Sequence, residues 1–249
     1  MTPRFSPYEL TQLARANINP ESIDSTDTRP VEYITGTVEF ADLKFVVSED
    51  VLIPRIETEW LVNTARAEIL RLLETQPTVS VFDLGTGCGA ICISLAAQLA
   101  QDKRITFVAS EISTTALAIA KQNAQMLLGP EHTIRFIESD LLKNVPTQKF
   151  DLIIANLPYI PEERIAYLDA SVKDHEPYIA LSGGPSGFEL IYKMLEQAPP
   201  FLAAHGQIML EIDHTHTQQI WSTIPAHWTA ELRLDLFSRN RFAIITHKQ

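Results

Sequence analysis

The chain has 249 residues, 45% of them apolar and 20% charged, which is enough to bury a sizeable core and excludes a disordered, collagen-like or coiled-coil protein. Lys and Arg number 20 against 31 Asp and Glu, a formal charge of −11. No segment concentrates the basic residues, so a face built to neutralise the phosphates of nucleic acid or of anionic lipid is disfavoured as the main working surface.

Residues 1–30 hold four of the fifteen prolines (Pro3, Pro7, Pro20 and Pro30) around one short candidate helix at 8–16, a helical or irregular segment too small to be a domain. Residues 31–36 and 39–47 are apolar and β-branched enough for a hairpin. The loop Leu52-Ile53-Pro54-Arg55 leads into a helix with apolar positions Trp60, Leu61, Ala65, Ile69, Leu72 and Leu73, which stops before Pro77. Residues 31–76 are thus expected to form a hairpin and a helix.

From residue 77 to 249 the period switches repeatedly. VSVFDL (79–84), ITFVAS (105–110), IRFIE (134–138), FDLIIA (150–155) and QIMLEI (207–212) read as short buried strands. Helical stretches lie at 90–100, 114–127 and 188–202, and a closing hairpin at 228–236 and 241–246. Such alternation predicts an α/β, doubly wound, mostly parallel sheet, and the hairpin brings it to seven strands with antiparallel pairing at one edge. Cys88 and Cys92 have no second Cys or His pair at ligand spacing; they read as small buried residues, and His214 and His216 as polar loop residues, so no metal is expected. No run of about 18 apolar residues occurs, and the N-terminus lacks a signal-type apolar stretch, so a cytoplasmic chain without a membrane segment is the expectation.

Only nine glycines occur, and Gly85, Gly87 and Gly89 sit together between the first strand of this region and its helix. Glycines let the backbone turn tightly and approach a ligand, and the helix start offers free N–H groups. Asp83 ends that strand, and Glu111 ends the next, 22 residues after Gly89. A carboxylate there is placed to accept both hydroxyls of a ribose. The Gly-x-Gly-x-x-Gly spacing expected for NAD or FAD is absent.

After the strand at 150–155 comes Asn156-Leu157-Pro158-Tyr159. A planar nitrogen has a delocalised lone pair and must be fixed to react; the side-chain oxygen of Asn156 and the carbonyl of Leu157 can accept its two hydrogens. Pro158 stiffens the loop, and Tyr159 can stack on a planar substrate or near a cation. A second glycine group, Gly183, Gly184 and Gly187, reads as a turn before a helix, and Trp221 and Trp228 as packing residues.

Asp83-Leu-Gly-Thr-Gly-Cys-Gly resembles motif I of the class I S-adenosylmethionine-dependent methyltransferases. The resemblance implies S-adenosyl-L-methionine as cofactor, held by Asp83, Gly85, Thr86, Gly87, Cys88, Gly89, Glu111 and Asn156, with Asp140 and Leu141 beside the adenine. Asn-Leu-Pro-Tyr resembles the Asn-Pro-Pro-Tyr of methyltransferases acting on planar nitrogens, and also the tetrapeptide of ribosomal RNA adenine dimethyltransferases. Three further segments are similar to the protein-(glutamine amide) methyltransferases of peptide chain release factors: residues 30–62 with Ile-Pro-Arg-Ile-Glu-Thr, residues 175–195 with Glu-Pro-Tyr-Ile-Ala-Leu-Ser-Gly-Gly, and Asp-Leu-Phe-Ser-Arg-Asn-Arg near the end.

That likeness implies methyl transfer to the glutamine amide of the Gly-Gly-Gln loop of a release factor. Asn156, Pro158 and Tyr159 would be catalytic, Leu157, Arg55 and Glu57 would join them in binding substrate, and Thr58 would be a pocket neighbour. Residues 31–76 would pack over the active site of a catalytic domain spanning 77–249. Leu157, Ile56 and Ser238 depart from the family pattern, Glu211-Ile-Asp-His stands for a more usual Glu-Ile-Gly, and only about thirty residues precede the resemblance. A monomer with a protein substrate is expected, with methylation of a nucleic-acid amine, or cofactor binding without turnover, as the rivals.

Overall fold

The computed structural model describes residues 5–248; residues 1–4, which open the predicted N-terminal segment, and Gln249 lie outside them. Helix α1 (Pro7–Arg15) starts in a capping box, Ser6 accepting from the Glu9 amide while the Glu9 carboxylate accepts from the Ser6 amide. At its other end Arg15 pairs with Glu39, which ties α1 to the hairpin.

Residues 31–36 correct the sequence-based expectation, for they are helical and not extended: α2 (Val31–Thr35) follows Pro30 and ends at Gly36 in the left-handed conformation, a Pro-before, Gly-after frame that overrides the β-branched composition. The hairpin lies one step later, as β1 (Thr37–Phe40) and β2 (Leu43–Val46), turned by Ala41 and Asp42, both at positive φ. That is the conformation of a tight two-residue turn. A 3₁₀ turn (Ile56–Thr58) then enters α3 (Glu59–Leu73), which buries Leu61, Val62, Ala65, Ile69 and Leu72, while Trp60 stacks on Phe242 at 4.0 Å between ring centres.

The main sheet begins with β3 (Val79–Leu84), followed by α4 (Ala90–Gln98), β4 (Ile105–Glu111), α5 (Thr114–Leu128), β5 (Arg135–Glu138) and β6 (Phe150–Ala155). Three short helices, α6 (Glu162–Ile165), α7 (Ala170–Lys173) and α8 (Tyr178–Leu181), precede α9 (Glu189–Gln197). The predicted helix at 188–202 stops at Gln197 because Pro199-Pro200 cannot continue it, and β7 (Leu202–Glu211) starts five residues earlier than expected. After α10 (Gln218–Trp221), β8 (Trp228–Leu234) and β9 (Asn240–His247) close the fold as a hairpin.

Sheet order is β5-β4-β3-β6-β7-β9-β8. β5, β4, β3, β6 and β7 run parallel, and β9 and β8 add the antiparallel edge. From β3 the chain moves outward through β4 to β5, then returns to the other side of β3 as β6. The strand order therefore reverses between β3 and β6, the place where open α/β sheets leave a crevice beyond their carboxyl ends.

Candidate functional site

Two loops leave that crevice from adjacent strands. The first, Gly85 to Gly89, has all three glycines at positive φ, and Gly89 needs to be glycine twice over: φ is +89°, and a Cβ would lie 2.4 Å from Ile93 Cδ1. At Gly87 a Cβ would meet no protein atom within 4 Å; the backbone there faces open space. Asp83 supports the loop from below, its Oδ2 accepting from Thr86 Oγ1 at 2.6 Å and from the Cys92 amide at 3.1 Å. Burial pushes the Asp83 carboxyl up to about 6, against these two hydrogen bonds, and Oδ1 has no partner. Cys88 and Cys92 are both buried, and burial pushes the Cys88 thiol up to about 12.

Glu111 ends β4 beside this loop. Its Oε2 accepts from the Gly87 amide at 2.9 Å, and its Oε1 from the amides of Ile112 and Ser113 at 2.9 and 3.0 Å. Two adjoining cavities share Gly85, Glu111, Ile112, Pro158 and Ile179. The smaller, about 110 Å³, is also lined by Thr58, Thr86, Gly87, Cys88 and Asn156. The larger, about 580 Å³, reaches Asp140, Leu141 and Leu157. Asp140 is held below the usual carboxylate range, first by its hydrogen bond from Lys143 and then by Lys193.

The second loop, Asn156 to Tyr159, follows β6 and is held by side chains. Asn156 Nδ2 donates to Thr58 Oγ1 at 3.0 Å, Thr58 Oγ1 donates to Glu211 Oε2 at 2.7 Å, and Tyr159 Oη donates to Glu211 Oε1 at 2.8 Å. Thr58 is 4% exposed and Glu211, at the end of β7, 1%, so these bonds act with little screening by water. Burial raises the Glu211 carboxyl, opposed by the bonds from Thr58 and Tyr159 and by the charge of Arg241. Burial and Glu211 together push the Tyr159 phenol well up.

Backbone buttressing comes from the second glycine group. The Ile160 amide donates to the Leu181 carbonyl and the Gly183 amide to the Ile160 carbonyl. A Cβ on Gly183 would lie 2.7 Å from the Pro158 carbonyl oxygen, and one on Gly187, at φ +79°, 2.3 Å from that of Tyr159. This turn is the seat of the Asn156 loop, a role that spacing along the chain does not reveal. Leu157 sends its side chain into the core, 4% exposed, where a Cβ on Gly85 would come within 3.1 Å of its Cδ2; the two loops touch there.

Asp50, Val51, Leu52, Pro54 and Thr58 bring the 31–76 segment onto the smaller cavity. Asn123 of α5, fully buried, fixes that segment: its amide accepts from the Val46 amide and donates to the carbonyls of Val46 and Cys88, joining β2 to the glycine loop. Among the nominated residues, Gly85, Thr86, Gly87, Cys88, Glu111, Asn156 and Pro158 come together around the smaller cavity, and Asp140, Leu141 and Leu157 around the larger. Asp83, Gly89 and Tyr159 line neither; they stand behind the loops. Arg55 and Glu57 lie in an adjacent groove with Glu32, Glu39 and Glu59, and Arg55 pairs with buried Glu176. Asn123, Glu211, Gly183 and Gly187 were not expected at the site. Only Glu211 carried a hint, as an acidic residue ending an apolar strand like Asp83 and Glu111.

A doubly wound, seven-stranded sheet with a glycine loop after β3, an acid at the end of β4 and an Asn-x-Pro-Tyr turn after β6 is the architecture of a class I methyltransferase. A family model for the methyltransferase small domain matches residues 62–170. Among solved structures, the hMettl16 catalytic domain in complex with MAT2A 3'UTR hairpin 6 superposes with a TM-score of 0.64 over 99% of this chain and 93% of its own, at 15% identity. The ribosomal protein L11 methylase from Lactobacillus delbrueckii subsp. bulgaricus gives 0.52 over 78% of this chain and 81% of its own, at 21% identity. These share the fold. The release factor glutamine methyltransferase of Lactococcus lactis subsp. lactis (strain IL1403) is 34% identical over 250 residues, 94% of this chain and 88% of its own length. That of Enterococcus faecalis (strain ATCC 700802 / V583) is 37% identical over 221 residues, 86% and 75% of the two. The chain belongs to the release factor glutamine methyltransferase family.

Proposed function

We propose that this protein transfers a methyl group from S-adenosyl-L-methionine to the side-chain amide nitrogen of the glutamine in the Gly-Gly-Gln loop of a peptide chain release factor. The observation that carries the reading is the meeting, in one crevice, of an open glycine loop, a strand-end carboxylate and an asparagine whose Nδ2 is already engaged. The residues fit the cofactor: the space beyond Gly87 is free of protein atoms, and Glu111 stands between the two cavities. After three amide bonds, about one of its four lone-pair sites is left for a ribose hydroxyl, so that taking both hydroxyls displaces one of those amides, that of Gly87. Gly85, Thr86, Gly87 and Cys88 would cradle the amino-acid half, and Asp140 and Leu141 would flank the adenine.

When bound, S-adenosyl-L-methionine supplies a methyl already activated by its sulfonium, so the protein's task is positioning. Asn156 Oδ1 and the Leu157 carbonyl accept the two amide hydrogens of the glutamine, which turns its nitrogen toward the methyl and favours the charge that develops on it. Once nitrogen has four substituents, one of these hydrogens leaves as a proton. Pro158 and the buttressed backbone behind it keep the acceptors in place, and residues 31–76 cover the crevice. Arg55 and Glu57, in the neighbouring groove, meet the protein substrate outside the reacting centre.

The test is to incubate the protein with methyl-labelled S-adenosyl-L-methionine, intact release factors and structured RNA. Label on the glutamine of the Gly-Gly-Gln loop is expected. Label on RNA with none on release factors would overturn the reading, and so would cofactor binding with no label on either.

A further inference from the structure

An asparagine amide presents an acceptor at one end and a donor at the other, and only one orientation serves a substrate that brings N–H groups. What selects it is a chain of single hydrogens. A carboxylate can only accept, so the one hydrogen of Thr58 Oγ1 goes to Glu211 Oε2 at 2.7 Å. That leaves Thr58 lone pairs toward Asn156, which must answer with Nδ2, at 3.0 Å. Oδ1 then remains as the acceptor for the substrate. Tyr159 occupies the other oxygen of Glu211 at 2.8 Å, which fixes the carboxylate from its far side. The opposite orientation would set two lone-pair atoms, Asn156 Oδ1 and Thr58 Oγ1, against each other in a buried place.

We propose that Glu211 and Thr58 are positioning residues that set the polarity of Asn156 through this relay, so that its oxygen, not its nitrogen, faces the glutamine amide. The proposal rests on the methyl transfer to glutamine proposed for this site. It assigns to a buried acid remote from the substrate the choice of which hydrogen-bonding end the site presents.

Polarity can be reversed by exchanging acid and amide. In N156D the single Thr58 hydrogen faces two carboxylates and one link is lost. In E211Q, Tyr159 keeps its acceptor while the new amide donates to Thr58; Thr58 then donates to Asn156 Oδ1 and turns Nδ2 to the substrate. In N156D/E211Q every donor again meets an acceptor, and the carboxylate introduced at position 156 has an oxygen left for the substrate. Turnover on the release factor at saturating cofactor is expected to fall about a hundredfold in each single variant and to recover at least about tenfold in the double. Thermal unfolding of the ligand-free protein gives a second readout: Tm drops in N156D, and adding E211Q raises it.

A double variant no more active and no more stable than N156D alone overturns the proposal, as does wild-type turnover in E211Q. Thr58→Ser and Thr58→Val change no charge: Ser is expected to stay within about threefold of wild type and Val to lose about thirtyfold, and wild-type turnover in the Val variant also overturns the relay. Failure of the underlying function is distinct, since it appears as wild-type protein that leaves the release factor unlabelled.

Discussion

The two loops of the crevice reach rigidity by opposite routes. The glycine loop is shaped mostly close to its own backbone, by three left-handed glycines, an Asp83 that ties Thr86 and Cys92 together and a helix start, with Glu111 and Asn123 holding Gly87 and Cys88 from outside. The Asn156 loop is shaped from outside, by Thr58 from before α3, Glu211 from β7 and glycines from beyond α8. A loop whose shape comes mostly from nearby residues needs fewer distant partners than one whose key side chain is held by residues from both ends of the chain. The first suits a cofactor of constant shape, the second a nitrogen that must be oriented to a fraction of an ångström.

Replacing Asn156 with Ala tests that division most sharply. Turnover is expected to fall about a thousandfold, the scale of a lost orienting group, while cofactor affinity by calorimetric titration stays within about twofold. A parallel loss of affinity would show that the loops do not divide the labour. Next comes a contrast of glycines. Gly187→Ala forces a methyl against the Tyr159 backbone and is expected to cut turnover about a hundredfold and lower Tm, whereas Gly87→Val meets no protein atom but strains a left-handed backbone and fills the cofactor side, and is expected to abolish cofactor binding. Lost cofactor binding in Gly187→Ala with native affinity in Gly87→Val would show that the glycine groups do not serve the two separate roles.

Glu111→Ala should weaken the cofactor by about 1–3 kcal/mol, the range for hydroxyls deprived of a charged acceptor. The last effect, on stability and not on turnover or affinity, belongs to Asp83. Its carboxyl is raised from an ordinary 3.8 to about 6, so its contribution to stability is complete below pH 3.8 and is lost as pH rises through about 6. Asp83→Asn, which cannot ionise, is expected to flatten the dependence of Tm on pH across that window, and an unchanged profile would mean that Asp83 is not the group responsible.

The glycine loop, Glu111, the Asn156 turn and the alternation of strands and helices were legible in the sequence because each is written locally, in a few adjacent residues or a period. What could not be read is what distance conceals. Gly183 and Gly187 read as a plain turn because their reason, the carbonyls of Pro158 and Tyr159, lies over twenty residues away. Asn123 is an ordinary polar residue within α5 until the fold sets Val46 and Cys88 beside it. Residues 31–36 misled through composition, because a Pro30 and Gly36 frame outweighed β-branched side chains over one short turn.

The reversal of strand order between β3 and β6 has a consequence for how such a protein can change. Glu111 and Asp140 hang on the half of the sheet that runs from β3 to β5, whereas Asn156, the glycine seat and Glu211 hang on β6, β7 and the chain between them. In the proposed reading, the residues that orient the accepting nitrogen come mostly later in the chain than those that hold the donor, with Thr58, Arg55 and Glu57 on the substrate side but early in the sequence, and Asn156 and Pro158 at the border of both. A lineage could exchange the second half for a new substrate while inheriting the first intact, with the seam along β3 and β6 as the place where old and new must still fit.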